Sequence, residues 1–173
     1  YAGEEEVGGR DIHAFFEVHI EQGPILEAED KPIGIVTGGQ GQRWYELNIT
    51  GVESHAGPTP MDRRKDALLG AARVVELVNR TGLENAPLAC ATVGMIESYP
   101  NSRNVIPGKV FVTIDFRHPE DEVLSGMDQT MRDGVDKIMS EIGLECDLEQ
   151  IFYYAPVPFE ESCIQAVREA AKD

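Results

Sequence analysis

Two stretches of this chain alternate between apolar and polar residues, and an apolar stripe of helical spacing follows each of them. Alternation with a period of two is typical of a strand that buries one face against a core. The stretches therefore predict two half-buried strands, and the stripes predict two amphipathic helices. The alternating apolar residues are Tyr45, Leu47 and Ile49 in the first stretch and Val110, Val112, Ile114 and Phe116 in the second.

The first helix is predicted to begin after a Pro-Thr-Pro segment. Thr59 is the candidate N-cap, Pro60 suits the first turn, and Gly82 stands where a C-terminal cap belongs. The second helix is predicted to begin after Pro119, because the acidic residues that follow suit a helix N-terminus, and to end at Gly143. The predicted buried stripes are Leu68, Ala71, Ala72, Val75 and Val78 in the first helix and Val123, Met127, Met131, Val135, Ile138 and Ile142 in the second.

The second alternating stretch belongs to a strand predicted over residues 105–117. Two further strands are predicted, one before it over residues 88–96 and one after the second helix over residues 144–153. The elements then follow one another as strand, helix, strand, strand, helix, strand. That order predicts an α+β, ferredoxin-like fold, with a four-stranded antiparallel sheet and two helices on one face. A fold of this kind does not by itself identify a reaction.

The segments on either side of this unit differ from it in composition. Residues 1–12 are rich in Gly and Glu and predict a loop, whereas residues 13–20 and 33–37 are short apolar runs that favour strands. A glycine-rich break at residues 37–42 predicts a domain boundary, and residues 160–172 predict an amphipathic helix of another layer. We therefore divide the chain into residues 1–38, 39–156 and 157–173.

Composition narrows the class of partner. The chain has 15 basic and 31 acidic residues, a formal net charge of −16. Such a surface repels phosphate backbones and anionic lipid, so we expect no nucleic-acid or membrane partner. The three cysteines form no CxxC pair, which favours a reduced, cytoplasmic protein. Because Tyr1 is not a Met and the chain ends at Asp173 within a helical pattern, we expect an excised piece of a longer protein.

Four short motifs carry the side chains that could support chemistry. His19 closes an apolar run before a glycine turn, where an imidazole can bind zinc, although a lone buried His is more often structural. His55 lies in a Gly/Pro-bounded loop, and Asn104 lies in a connection that could equally be a plain hairpin turn. Arg117 ends a strand, where a guanidinium can hold a carboxylate or form a surface salt bridge. His118 is interpreted as structural.

Taken together, the motifs HIEQG, SHAGPTPM, NSRNVIPG and DFRH resemble one branch of the zinc aminoacylase and carboxypeptidase clan. That branch is the hydantoinase/carbamoylase type, which includes N-carbamoyl-L-amino-acid hydrolases, β-ureidopropionases, and allantoate and ureidoglycolate amidohydrolases. The resemblance covers nearly the whole chain. It implies that residues 39–156 are a lid domain that also forms a homodimer, and that residues 1–38 and 157–173 belong to a catalytic domain.

The resemblance also implies roles for individual residues. His19 would be a ligand in a site for two divalent metal ions, which are zinc or else manganese, cobalt or nickel. Gln22 would lie near the substrate, and His55 would stabilise the tetrahedral intermediate, in its own chain or across the dimer. Asn104 and Arg117 would bind the substrate carboxylate. The other metal ligands and the general base of the family are missing from this chain, so its metal site would be incomplete.

The implied reaction is hydrolysis of the ureido C–N bond of a small N-carbamoyl-L-amino acid or of 3-ureidopropionate. Two enzymatic alternatives stay open, an allantoate or ureidoglycolate amidohydrolase and an aminoacylase or peptidase of the same clan. The non-enzymatic alternative is a dimerisation module, and we expect the 173-residue chain alone to be inactive.

Overall fold

The computed structural model describes residues 11–172. The chain divides into a larger unit, Gly38–Val157, and a smaller unit formed by the segments on either side of it. The assignment of the flanking segments to a catalytic domain stays a prediction. In chain order the strands are β1 Gly38–Gly39, β2 Gly41–Thr50, β3 Ser54–His55, β4 Cys90–Tyr99, β5 Val105–Ile106, β6 Lys109–His118, β7 Glu145–Tyr154 and β8 Val157–Pro158. The helices are α1 Ile25–Ala28, α2 Ala67–Glu84, α3 Asp121–Ile142 and α4 Glu161–Ala170, with a 3₁₀ turn at Met61–Arg63.

The larger unit is built on a four-stranded antiparallel sheet in the order β4-β6-β2-β7. Helices α2 and α3 pack together on one face of this sheet. The predicted α+β arrangement is therefore confirmed. Short two-stranded pairs join β1 with β8 and β3 with β5.

The core lies between the sheet and the two helices. All of the alternating apolar residues of β2 and β6 are buried, which confirms the two predicted half-buried strands. The opposite face of the sheet carries the polar and aromatic residues that alternate with them. The core residues that the helices contribute are chiefly Ala71, Val74, Leu77, Val78, Leu124, Met127, Met131, Val135 and Met139.

Helix α2 begins later than predicted. The Pro-Thr-Pro segment leads into the 3₁₀ turn, and Asp66 is the N-cap, its Oδ1 accepting hydrogen bonds from the backbone N–H groups of Leu68 (2.9 Å) and Leu69 (3.2 Å). Gly82 is not a C-terminal cap but a buried residue of the last turn. A methyl group at Gly82 would lie 2.8 Å from Ala91 Cβ, so this glycine allows close packing of α2 on β4.

The buried stripe of α2 is rotated from the predicted one. Leu68, Ala72 and Val75 are exposed, whereas Val74 and Leu77 are buried. Successive residues of an α-helix are about 100° apart around its axis. The predicted stripe begins at Leu68 and the observed one at Ala67, so the predicted stripe lies beside the true core face. In α3 the predicted Met127, Met131 and Val135 are buried. The other predicted residues, Val123, Ile138 and Ile142, are only half-buried, and Leu124 and Met139 are buried instead. Gly143 ends α3 in the left-handed region (φ +73°), as predicted.

The stretch predicted as one strand over residues 105–117 is two strands. Pro107 lacks the N–H that would continue a ladder, and β5 and β6 lie on either side of Pro107 and Gly108. Gly108 accepts a hydrogen bond from Gly51 N–H (2.8 Å), and a methyl group there would lie 2.9 Å from the backbone nitrogen of Glu53. The chain after β2 therefore passes close to the chain before β6.

A nearly buried carboxylate joins β2 to α3. Asp128 accepts hydrogen bonds from Arg43 Nη1 (3.3 Å) and from Arg132 Nε (2.9 Å). Arg43 also donates to Ser125 Oγ (2.7 Å). Two guanidinium groups offset the cost of removing the carboxylate from water, and the contacts fix the end of β2 that begins at Gly41.

The smaller unit differs from its prediction. Residues 13–20 and 33–37 were expected as strands, but neither segment is a strand, and Phe15 and Val18 are exposed. A strand needs a neighbour for its backbone N–H and C=O groups, and the described residues provide none for these segments. Helix α4 confirms the helix predicted over residues 160–172. Most of the loop predicted over residues 1–12 lies outside the described residues.

No helix within residues 11–172 is both long enough and apolar enough to cross a membrane.

Candidate functional site

His55 and Asn104 are brought together by the short β3–β5 pair. Ser54 pairs with Ile106 and His55 with Val105. Directly after this ladder, the backbone N–H of Ala56 donates to the carbonyl oxygen of Asn104 (2.9 Å). Two motifs that are far apart in the sequence, SHAGPTPM and NSRNVIPG, therefore form one pair of adjoining loops.

The hydrogen bonding of the His55 ring leaves Nε2 as a donor. The ring is exposed, and its Nδ1 lies 3.0 Å from the backbone N–H of Gly57, from which it accepts a hydrogen bond. A neutral imidazole that accepts at Nδ1 carries its proton on Nε2. His55 can thus offer an N–H group to an oxygen atom that approaches from outside the loop.

Arg64 holds the loop that carries His55, a role that the sequence analysis did not predict. Its Nη2 donates to the carbonyl oxygens of Ala56 (2.8 Å) and Thr59 (3.0 Å), and its Nε also donates to Thr59 (3.1 Å). Thr59 in turn bonds His55, since its Oγ1 donates a hydrogen bond to the His55 carbonyl oxygen (2.7 Å). Within residues 11–172 the Arg64 guanidinium bonds backbone carbonyls and no carboxylate. The only sequence signal was a basic residue shortly after the loop.

The Asn104 side chain is oriented by a neighbouring hydroxyl. Ser102 Oγ donates to Asn104 Oδ1 (2.9 Å), and Ser102 also accepts at its carbonyl oxygen from Val105 N–H (3.2 Å). Asn101 supports this turn by adopting a positive φ of 57°, a conformation that Asn tolerates better than most residues. With its oxygen occupied by Ser102, the amide group of Asn104 keeps its NH₂ for a ligand.

Arg117 is held on one edge and open on another. Its Nε and Nη2 donate to Asp115 Oδ2 at 3.1 and 2.8 Å. With the Gln42 amide oriented so that its oxygen faces inward, that oxygen accepts from Arg117 Nη2 (2.9 Å) and from Trp44 Nε1 (2.7 Å). The hydrogen bonds to Asp115 raise the pKa of the Arg117 guanidinium, so it stays charged. Nη1 has no hydrogen-bond partner among residues 11–172, so it is free to donate to a ligand.

Within one chain, Arg117 is not brought together with Asn104 and His55. Arg117 pairs with Gln42 at one end of the β2–β6 ladder, and Lys109 pairs with Thr50 at the other. The two ends are eight residues apart along β6, which is roughly 26 Å at 3.3 Å per residue. His55 and Asn104 lie at the Lys109 end. The expectation that Asn104 and Arg117 bind one carboxylate therefore does not hold for residues of the same chain.

His19 and Gln22 belong to the smaller unit, and both are exposed. His19 Nδ1 lies 2.5 Å from the carbonyl oxygen of Ile20, to which it donates. That bond leaves the Nε2 lone pair free, which is the arrangement that metal-binding histidines use. Gln22 has a positive φ of 58° in the turn before α1, and Glu21 caps α1 by accepting from Ile25 N–H (2.9 Å).

The described residues do not assemble a metal centre by themselves. Within residues 11–172 no group of three or more His, Cys, Asp or Glu side chains is arranged to hold a metal ion. His19 has the donor atom for such a group, whereas His118 does not. The His118 ring is buried at the end of β6, and its Nδ1 accepts from Glu120 N–H (3.0 Å) at the start of α3. His118 is structural, as the sequence indicated.

Residues 37–142 match the family model described as a peptidase dimerisation domain. The chain is 47% identical to an N-carbamoyl-L-amino-acid amidohydrolase from Rhizobium meliloti, in an alignment that covers 99% of this chain and 41% of that protein. It is 37% identical to the allantoate amidohydrolase of Escherichia coli strain K12, over 92% of this chain and 39% of that protein.

A solved structure shares both the fold and much of the sequence. It is an amidase of the hydantoinase/carbamoylase family from Burkholderia multivorans, with a TM-score of 0.91 and 69% identity. The match covers 95% of this chain and 40% of that one. The chain therefore spans about two fifths of the length of the relatives that it matches.

Proposed function

Since this chain belongs to the peptidase dimerisation domain family, among the hydantoinase/carbamoylase amidases, we propose that the whole protein is a metal-dependent amidohydrolase. Its substrates are small N-carbamoyl-L-amino acids, with 3-ureidopropionate as the related β-amino acid substrate. The products are ammonia, carbon dioxide and the free amino acid. The observation that carries the proposal is the 47% identity to an enzyme of that name over almost the entire chain.

The hydrogen-bond donors of the larger unit suit a substrate with a carboxylate at one end and a ureido group at the other. Arg117 Nη1 is free to hold the carboxylate, and the Asn104 NH₂ and His55 Nε2–H are donors for oxygen atoms. During hydrolysis the ureido carbonyl oxygen gains negative charge, and a preorganised N–H donor stabilises that charge more than the ground state. We assign this task to His55. Gln22 contributes polar contacts near the substrate.

His19 has the ring geometry of a metal ligand and would hold a divalent cation together with ligands from elsewhere in the protein. When bound, zinc or a similar cation polarises a carbonyl and lowers the pKa of water. The ring orientation of His19, fixed through Nδ1 by the Ile20 carbonyl, is this chain's contribution.

A homodimer through the lid would place both groups of residues in one site. Within a chain, Arg117 lies roughly 26 Å from the end of the sheet that carries His55 and Asn104, which is much longer than a small ureido substrate. We propose that one chain supplies Arg117 and its partner supplies His55 and Asn104. The family description as a dimerisation domain supports this arrangement.

The dimer contact that we propose lies along β4. This strand is an edge of the sheet, so its outer N–H and C=O groups have no neighbour in the sheet. Its exposed apolar residues Met95 and Ile96, together with exposed Leu68 and Val75 on α2, form a surface that a second copy would cover. The three cysteines are free thiols, which is consistent with a cytoplasmic enzyme.

A second candidate function is hydrolysis of allantoate, because enzymes of that name match the chain at 37% and 39% identity. A substrate panel separates the two functions. The full-length protein, loaded with zinc or manganese, is assayed with an N-carbamoyl-L-α-amino acid, 3-ureidopropionate, allantoate and an N-acetyl-L-amino acid. We expect the highest kcat/KM with the first. Faster hydrolysis of allantoate would favour the second candidate, and hydrolysis of the N-acetyl compound alone would refute both.

A further inference from the structure

An exposed aromatic pair lies on the open face of the four-stranded sheet. Trp44 in β2 and Phe152 in β7 are direct neighbours in the ladder, with ring centroids 5.0 Å apart and ring planes at 38°. Trp44 is 41% exposed and Phe152 is 39% exposed. Large exposed aromatic rings that touch each other commonly mark a binding surface.

The pair is coupled to Arg117. Gln42 and Trp44 are two residues apart on β2, and Arg117 and Asp115 are their partners on β6, so all four side chains are on the open face. The Gln42 oxygen accepts from both Arg117 Nη2 (2.9 Å) and Trp44 Nε1 (2.7 Å). The indole edge and the guanidinium therefore lie within two hydrogen-bond lengths of each other.

We propose that Trp44 and Phe152 bind the side chain of the substrate, and that the preferred substrates are N-carbamoyl-L-amino acids with large apolar or aromatic side chains. This inference rests on the proposed function, because it uses Arg117 as the group that holds the carboxylate. In an α-amino acid the side chain and the carboxylate leave the same carbon atom. Gln42 bonds both Arg117 and the indole of Trp44. A substrate whose carboxylate binds Arg117 Nη1 would therefore place its side chain next to that indole.

The chemistry of the pair distinguishes the candidate substrates. An apolar side chain gains by covering the exposed faces of Trp44 and Phe152, because apolar surface is then removed from water. The compound 3-ureidopropionate has no side chain and gains nothing there. Allantoate carries a second ureido group, whose N–H and C=O groups would lose water against aromatic carbon without a replacement hydrogen bond.

The test compares two substrates that differ only in the side chain, N-carbamoyl-L-phenylalanine and N-carbamoylglycine, in the full-length metal-loaded enzyme. We expect the phenylalanine derivative to have the higher kcat/KM by on the order of tenfold or more. Phe152→Ala should remove most of that preference and change kcat/KM for the glycine derivative by less than about twofold. Leu83→Ala, which removes an exposed apolar side chain from the helical layer, is the matched control and should change neither value.

Trp44→Phe separates side-chain binding from the support of Gln42. It keeps an aromatic ring but removes the N–H that bonds Gln42, so the phenylalanine preference should persist even if both kcat/KM values fall together. Equal values for the two substrates in the wild-type enzyme, or equal losses for both in Phe152→Ala, would overturn the side-chain site while leaving the proposed function intact. Failure of the wild-type enzyme to hydrolyse either compound would instead overturn the proposed function and the side-chain site with it.

Discussion

Arg117 and His55 lie at opposite ends of the same four-stranded sheet. Arg117 faces Gln42 where β2 begins and β6 ends, whereas His55 follows the other end of β2 and pairs with Val105. Both residues are exposed, and each is held by its own local hydrogen bonds. The larger unit thus presents two separate groups held by local hydrogen bonds, a guanidinium and an imidazole N–H donor. In a two-fold dimer each group can serve a different active site.

Replacing Arg117 should impair substrate binding more than catalysis. The carboxylate that we propose it holds is unchanged during the reaction, so the interaction should be equal in the ground and transition states and affect KM. Arg117→Ala in the full-length enzyme should raise KM by on the order of 10- to 100-fold, with kcat changed much less. Steady-state kinetics with N-carbamoyl-L-amino acids give both constants. A fall in kcat at unchanged KM would contradict this role.

Arg117→Lys is the conservative comparison for the same position. An ammonium group keeps the charge but cannot bond Asp115, Gln42 and a substrate carboxylate in the fixed planar geometry of a guanidinium. We expect only partial recovery of KM relative to Arg117→Ala. Full recovery would mean that charge alone, rather than the orientation set by Asp115 and Gln42, determines substrate binding.

Replacing His55 should act mainly on kcat. Its Nε2–H is expected to bond an oxygen that carries negative charge only at the tetrahedral stage. His55→Ala should lower kcat by a factor on the order of 10²–10³, the usual cost of removing one oxyanion donor. KM should change by less than about threefold. Kinetics in which only KM rises would refute the role of His55 in stabilising the oxyanion.

Replacing Arg64 tests whether the His55 loop is preorganised. Arg64 makes bonds to the carbonyls of Ala56 and Thr59 that hold the loop, and it lies outside the predicted contacts with substrate. Arg64→Ala should lower kcat by about tenfold or more, since each charged hydrogen bond is worth about 1.5–3 kcal/mol, while KM stays nearly constant. Added guanidinium chloride at low millimolar concentration should restore part of the activity of Arg64→Ala and none of that of His55→Ala. An unchanged kcat in Arg64→Ala would exclude this role, and so would a lowered kcat that guanidinium does not raise.

The sequence predicted the fold well because the core is periodic. The buried residues of β2 and β6 alternate without a break from Tyr45 to Ile49 and from Val110 to Phe116, and the pattern does not depend on distant contacts. The start of α2 was less predictable. Both Thr59 and Asp66 are good N-cap residues, and the hydrogen bonds of Arg64 to the preceding loop keep that segment out of the helix.

The contacts of the site residues were not predictable from local sequence. The shared acceptor Gln42 reaches Arg117 only through the register of β2 against β6, and Trp44 reaches Phe152 only through the register of β2 against β7. Short motifs identified His55, Asn104 and Arg117 as candidates, but motif spacing gave no information on which of them meet in space. That information lies in strand pairing between segments that are far apart in the chain.

The edge strand β4 should control assembly. Ile96 is 49% exposed on β4, and Ile151 is 46% exposed on β7, the opposite edge strand, so the two form a matched pair. Ile96→Glu in the full-length protein should shift it from dimer to monomer, because a two-fold contact would bring two buried carboxylates together. Ile151→Glu should leave the dimer intact. Sedimentation equilibrium distinguishes the two results, and the reverse pattern would place the dimer contact on β7.

Mixed dimers test whether His55 and Arg117 of different chains form one active site. His55→Ala and Arg117→Ala homodimers each lack one group at both sites and should be nearly inactive at low substrate concentration. If the groups come from different chains, a mixed dimer contains one site with both residues intact and one with neither. Co-expression with two different affinity tags and tandem purification isolates that mixed dimer.

The expected result is a recovery to about half of the wild-type kcat per dimer, with the wild-type KM, because the intact site is complete and the doubly defective site is silent. A dimer of Arg117→Ala with wild-type chains is the control, and it should also show one intact site. If the two residues of one chain served the same site, every site in the mixed dimer would lack one of them, and no recovery would occur. That outcome would contradict an active site shared between chains and would require the roughly 26 Å between the two ends of the sheet to be bridged within one chain.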